Sequence, residues 1–190
     1  MRSFFAIAAL AFLAACSSEQ RKVVVMASGK LQVNGNTITL DPGTTHNEVT
    51  LEPDGDSVTV TSGGNNTGFA VKEPGLYVLN LKKDTIVGSY QRTGTDNSLQ
   101  KISQEDLFNR ADSLAALMKG TNVSEAARNF NLPPMSIAKV SANANAQIIG
   151  PFRKIPGSFD PSKEHEIYKF YTNKEVAEIL ANVKKMLSDQ

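Results

Sequence analysis

A chain of 190 residues can build one moderate domain or two small ones, and its 20 Lys and Arg against 19 Asp and Glu leave almost no net charge. That balance argues against a nucleic-acid or anionic-membrane binder, which would carry a basic excess to neutralise phosphates. A single cysteine excludes an internal disulfide and a multi-thiolate metal centre, and the absence of tryptophan thins the stock of aromatic platforms to nine Phe and four Tyr.

The chain opens with Arg2 and then twelve apolar residues, Phe4 to Ala15. Twelve are too few to span a bilayer but suit the core of a signal peptide. The run ends in Leu13-Ala14-Ala15-Cys16. This ending resembles the lipobox of bacterial lipoproteins, a leucine and two small residues before a cysteine. The resemblance implies cleavage between Ala15 and Cys16, a diacylglyceryl group on the Cys16 thiol, and a new amino terminus carrying an acyl chain such as palmitate. One acyl chain anchors marginally at roughly 0.8 kcal/mol per methylene, so two or three hold a protein on the membrane. Residues 1–15 thus read as a signal peptide, and 16–22 as the lipidated cysteine with a short polar tether that reaches about 20 Å at full extension. Without Arg2 the basic and acidic side chains balance at 19 against 19. Ser17, standing where Asp would retain an enterobacterial lipoprotein in the inner membrane, points to the outer membrane.

From Val23 the pattern is that of strands. Val23-Val24-Val25-Met26 is a short apolar run of the buried-strand kind. Leu31 and Val33 alternate with polar residues before Asn34-Gly35, and Ile38 and Leu40 alternate after it, the strongest short-range hairpin signal. Turns are expected at Asp41-Pro42-Gly43, Pro53-Asp54-Gly55, Gly63-Gly64-Asn65-Asn66 and Glu73-Pro74-Gly75, with a last strand near Thr85 to Tyr90. Seven or eight short strands predict a sandwich or barrel over residues 23–93. Within it, Phe69 to Leu81 resembles the penultimate strands of immunoglobulin-like sandwiches. There a Gly-x-Tyr, matched by Gly75-Leu76-Tyr77, turns a corner with the tyrosine hydroxyl bonded back to the chain.

Gly94 to Gln100 reads as a polar linker, and beyond it the apolar spacing becomes helical over residues 101–190. Leu107, Ala111, Leu114 and Met118 share a face between a cap at Ser103 and a stop at Gly120. Ala126, Ala127 and Phe130 suggest a second short helix ended by Pro133-Pro134, and Ile137 and Val140 a third. Ser141 to Ser162 reads as loop, and Ile167 to Tyr171 as one late strand. Thr172 and Glu175 form a capping box for a last helix with Val176, Ile179, Leu180, Val183 and Leu187 on one side. The expected fold class is α+β, an N-terminal antiparallel, immunoglobulin-like β-sandwich followed by a mostly helical C-terminal segment.

The chemistry-bearing patterns are weak. Val123 to Val140 resembles a DNA-binding helix-turn-helix, yet Lys139 is its only base in the recognition position, and an exported protein has no chromosome to read. Ser136-Ile137-Ala138-Lys139 fits the Ser-x-x-Lys of penicillin-binding proteins and β-lactamases, with Ser141-Ala142-Asn143 too close to serve as the second element and no Lys-Thr-Gly. Ser98 to Lys101 fits the same short pattern. His46, flanked by Glu48, and His165, flanked by Glu164 and Glu166, are the only histidines, short of the three ligands a catalytic zinc uses. Asp54 and Asp56 lack the further ligands of a calcium loop. No metal, cofactor or catalytic residue is assigned, and the chain is expected not to be an enzyme.

These readings converge on a lipid-anchored bacterial envelope lipoprotein at the outer membrane, a non-enzymatic binding or structural component. Its expected partners are the membrane through its anchor and other envelope proteins or glycans, with no nucleic acid. Two alternatives follow from particular residues. One is an envelope hydrolase with its site between the sandwich and the 141–162 loop. The other is a glycan-binding module using Tyr168, Phe170 and Tyr171.

Overall fold

The computed structural model describes residues 20–91, 104–150 and 165–188; the expected signal peptide, Ala15, Cys16 and the linker from Gly94 to Gln100 lie outside them. Ten strands and two helices occupy the described residues. In chain order they are β1 (Arg21–Asn34), β2 (Thr37–Leu51), β3 (Ser57–Ser62), β4 (Asn65–Ala70), β5 (Gly75–Leu81) and β6 (Ile86–Gln91). Then come α1 (Gln104–Met118), β7 (Asn129–Leu132), β8 (Ser136–Ser141), β9 (Gln147–Ile149), β10 (Ile167–Thr172) and α2 (Asn173–Ser188). One sheet has six strands in the order β4-β3-β2-β1-β5-β8, the other four in the order β7-β6-β10-β9.

The apolar run at the start of β1 sets the layering. Val23, Val25 and Ala27 point into one core with Ile38, Val58, Val60 and Leu79. Val24 and Met26, on the opposite face, enter a second core with Leu76, Val78, Ile86, Tyr168 and Phe170. A strand that is apolar at every position must be covered on both sides, and here it is. The first core fills the six-stranded sheet, which curls into a nearly closed barrel. The second core joins that barrel to the four-stranded sheet. A third, smaller core of Val87, Leu117 and Val176 joins the other face of the second sheet to both helices. Gly88 lets the layers meet: it lies opposite Phe170, and a β-carbon there would come 2.5 Å from the Phe170 ring.

The barrel closes because the long β1–β2 hairpin bends back on itself. Its tip meets the β2–β3 connection and β3, where Asn36 Oδ1 accepts from Asp54 N at 3.1 Å and Asn36 O accepts from Thr59 N at 2.9 Å. At the start of β1, Arg21 donates to the Lys72 carbonyl at 3.1 Å and pairs with Asp56 at 3.2 Å. The bend itself is a bulge. Ser28 pairs with His46 but Gly29 with Pro42, so Gly43, Thr44 and Thr45 loop out of the ladder. Asp41-Pro42-Gly43, expected as a turn between two strands, is therefore an irregularity inside one.

The expected α+β arrangement is corrected at this point. The N-terminal part is not an antiparallel immunoglobulin-like sandwich, since β1 pairs with β5 in parallel and β2 with β3 in parallel. The C-terminal part is not mostly helical, since it supplies β7, β8, β9 and β10. The fold is mostly β, with two sheets and two helices. The region expected to hold short helices, Val123 to Val140, which resembles a helix-turn-helix in sequence, instead contains β7 and most of β8, joined through Pro133-Pro134-Met135. The physical reason is the doubly buried β1. Its second face needs a further layer, and strands after residue 101 provide it by pairing β5 with β8 and β6 with β7 and β10.

Several local expectations hold. Asn34-Gly35 turns the β1–β2 hairpin, and Gly63-Gly64 the β3–β4 hairpin. Thr172 and Glu175 form the capping box of α2, with Thr172 N bonded to Glu175 Oε2 at 2.7 Å and Glu175 N to Thr172 Oγ1 at 3.2 Å. Gly120 ends α1 in a Schellman motif, with Thr121 N on Ala116 O and Gly120 N on Leu117 O, each at 3.0 Å.

Candidate functional site

The most unusual side-chain cluster sits beside the bulge. Once β2 resumes at His46, alternation places His46 and Glu48 on one face, with Glu48 opposite Met26 and so turned toward the second layer. Lys82, the first residue after β5, reaches the same place and is only 9% exposed. Its Nζ lies 3.1 Å from His46 Nδ1, and His46 Nε2 lies 3.0 Å from Glu48 Oε1. The three side chains form a carboxylate–imidazole–amine relay. The Lys82 backbone is fixed in turn by its N–H, which donates to Asn80 Oδ1 at 2.9 Å.

The charges assign the protons. An ammonium only donates, so Nδ1 of His46 accepts from Lys82, and the ring proton sits on Nε2 facing Glu48. Burial, and then the Lys82 charge, hold the His46 pKa down at about 4, so the ring is neutral at pH 7 and its contact with Glu48 is a hydrogen bond rather than an ion pair. Burial also lowers the Lys82 pKa, against the opposing pull of Glu48, Asp84 and Glu175. Glu175 stands at the start of α2, so the relay touches electrostatically on the barrel, the β5–β6 turn and the helical layer.

A pH dependence follows with a definite sign. The unfolded histidine binds its proton near 6.5 and the folded one only near 4, so between these values the unfolded chain holds more protons. Stability present above pH 6.5 is therefore lost as the pH falls toward 4. The His46 side chain is a fifth exposed, so the full shift is discounted to about 1 kcal/mol between pH 7.5 and 5. Urea unfolding at the two pH values measures it; His46→Gln should show a smaller loss than the unmodified chain by that amount. Equal losses would disprove the assignment.

A second polar cluster lies at the other end of β10. Tyr168 donates to Glu166 Oε1 at 2.7 Å, and Arg128 stands 4.5 Å from the centre of the Tyr90 ring. Burial and the Glu166 carboxylate push the Tyr168 hydroxyl well above its usual range. The ring packs edge-on against Tyr90 and Phe130, so this cluster is a polar plug at the rim of the second core.

No protein-family model, curated protein or solved structure matches this chain.

The residues singled out from the sequence scatter. Cys16 and Ala15 lie outside the described residues, as do Ser98 to Lys101, and the 141–162 loop is described only to Gly150. Ser136 and Lys139 stand three apart on β8, a strand, where odd spacing sends them to opposite faces. Ser136 Oγ donates to Pro133 O at 2.6 Å, and Lys139 pairs with Glu73 across to the turn before β5. Ser141 Oγ accepts from Asn143 N at 2.9 Å. His165 precedes β10 at its Gln91 end, whereas His46 and Lys82 lie toward its Ile86 end, so the two histidines do not meet. Asp56 pairs with Arg21, and among the described residues no three His, Cys, Asp or Glu gather to hold a metal. Tyr168 and Phe170 are buried, which removes them as a stacking surface for sugars. Lys82-Lys83-Asp84 reads in the sequence as a charged turn, and only the pairing of Lys82 with His46, 36 positions away, distinguishes it.

Proposed function

We propose that this chain is a lipid-anchored component of a bacterial envelope, held through Cys16 in the outer membrane, that serves as a non-enzymatic binding or structural partner of other envelope proteins or glycans. The observation that carries this reading is Leu13-Ala14-Ala15-Cys16 behind its apolar run. The entry of the chain into the barrel supports it. Gln20 already accepts a hydrogen bond from Gly75 N at 3.0 Å. Cys16 therefore stands four residues, about 14 Å at full extension, from the folded body. On this reading the end bearing Arg21, Lys22 and Lys72 abuts the bilayer. Arg21 pairs there with Asp56 and Lys22 with Glu52, so the acyl chains and not a basic patch supply the attachment.

Mass spectrometry of the mature amino terminus is expected to find an acylated Cys16. Cys16→Ser should lose palmitate incorporation and leave the membrane fraction. A Cys16→Ser chain that still sediments with membranes would overturn the anchor. Pull-down of the intact protein from solubilised envelopes is expected to recover a stable partner. Turnover of a wall or glycan substrate, with no partner recovered, would overturn the non-enzymatic role.

A further inference from the structure

The geometry points to Lys82 as a reactive amine that captures small aldehydes as an imine, with His46 as its proton acceptor and Glu48 orienting His46. A nucleophile within hydrogen-bond reach of a base, the base itself oriented by a third group, is the arrangement that activates side-chain nucleophiles on many folds. Here the two links measure 3.1 Å and 3.0 Å. The parts are held by backbone, since Asn80 fixes the Lys82 N–H and the bulge at Gly29 delivers His46.

The electrostatics run in the same direction. Burial favours the neutral amine, the form with a free electron pair. Once Lys82 is neutral, one of the two causes that hold His46 below its usual range disappears, and the imidazole becomes a better base when a proton must be taken. Glu48 can then stabilise the imidazolium. The opening is narrow: Lys82 is 9% exposed, and the side chains of His46 and Glu48 are 20% and 12% exposed. This limited exposure is why the proposal is confined to small aldehydes.

The step balances without an oxidant or reductant. The Lys82 electron pair forms the N–C bond as the carbonyl π pair moves to oxygen. His46 Nδ1 takes a proton from the attacking nitrogen and returns it to the oxygen side, giving a carbinolamine. The nitrogen pair then expels that hydroxyl while the remaining N–H proton passes through His46 Nδ1 to the departing oxygen, so water leaves and the neutral imine remains.

Reductive methylation of the intact chain with formaldehyde and cyanoborohydride, mapped by mass spectrometry from pH 6 to 10, tests this. Lys119 and Lys174, both exposed, are internal references. Lys82 is expected to label faster than both at pH 7, with its half-maximal rate at a lower pH. His46→Gln should slow Lys82 on the order of tenfold, below what a general base can contribute, and leave the references unchanged. Glu48→Gln should shift the pH profile of Lys82 alone. Slower labelling of Lys82 than of the references throughout, labelling only after unfolding, or an unchanged Lys82 rate in folded His46→Gln would each overturn the proposal. If His46→Gln does not fold, the comparison of Lys82 with the references in the unmodified chain decides.

Discussion

Asn80→Leu is expected to destabilise the protein by about 4 kcal/mol or more, a large share of the 5–15 kcal/mol that holds a typical domain together. Asn80 is fully buried on β5. Its Nδ2 lies 2.9 Å from Asp84 O, 2.8 Å from Leu132 O and 3.2 Å from Pro133 O, and its Oδ1 accepts from Lys82 N at 2.9 Å. Its own carbonyl accepts from Met135 N at 2.8 Å. One side chain thus joins the β5–β6 turn to the β7–β8 connection, two of the three connections that pass between the sheets. Leucine keeps the branching and the number of side-chain heavy atoms, so the main loss is polar satisfaction: the Lys82 N–H and the Leu132 carbonyl keep their burial without their partners, each costing about 1–3 kcal/mol. Asn80→Asp should fare no better, because it cannot donate to the three carbonyls and buries a charge. Denaturant midpoints measure the loss, and a cost below about 1 kcal/mol for Asn80→Leu would show that the layers do not depend on this residue.

Asn80 also marks the limit of what the sequence discloses. Features set by neighbours along the chain are legible. The hairpin at Asn34-Gly35, the stop at Gly120 and the box of Thr172 with Glu175 each depend on residues within five positions. The apolar run of β1 is legible too, and it already requires cover on both faces. What cannot be read is the identity of the cover. Nothing local to Val23 says that it pairs in parallel with Tyr77, or that β8 arrives on the far side of β5.

Two stretches show the same competition. Ala126, Ala127 and Phe130 mimic a helical stripe, but Phe130 and Leu132 are two apart, and the second core selects that period to make β7. Tyr77 does bond back to Glu73, with its hydroxyl donating to the Glu73 carbonyl at 2.8 Å. That corner is a local device for turning into a buried strand, and here it serves a barrel whose strand order differs from the sandwich it resembles. The relay was half visible for the same reason. His46 and Glu48 are neighbours in sequence and attract notice together, while Lys82 joins them only through the fold.

Gly29→Ala is expected to cost about 3 kcal/mol or more and to dismantle the relay without touching any of its members. Gly29 has φ +127, outside the range that side chains tolerate. A β-carbon there would lie 2.1 Å from Asp41 O, 2.7 Å from Gly43 N and 2.9 Å from the Pro42 carbonyl carbon. All three are backbone atoms of the bulge, so no side-chain rotation relieves the clash and the ladder itself must open. Opening it also threatens the bond from Asn47 Nδ2 to Gly29 O, now 2.8 Å. Because residues i and i+1 of a strand face opposite ways, a one-residue change in the number looped out turns His46 away from Lys82. The variant should therefore lose both the pH-dependent stability attributed to His46 and the labelling advantage of Lys82, beyond any loss explained by unfolding alone. Thr44→Ala is the control: Thr44 is exposed within the same bulge, and its replacement should change stability by no more than about 0.5 kcal/mol. A folded Gly29→Ala protein that keeps the wild-type midpoint and still labels Lys82 first would mean that the bulge is not what aims the histidine.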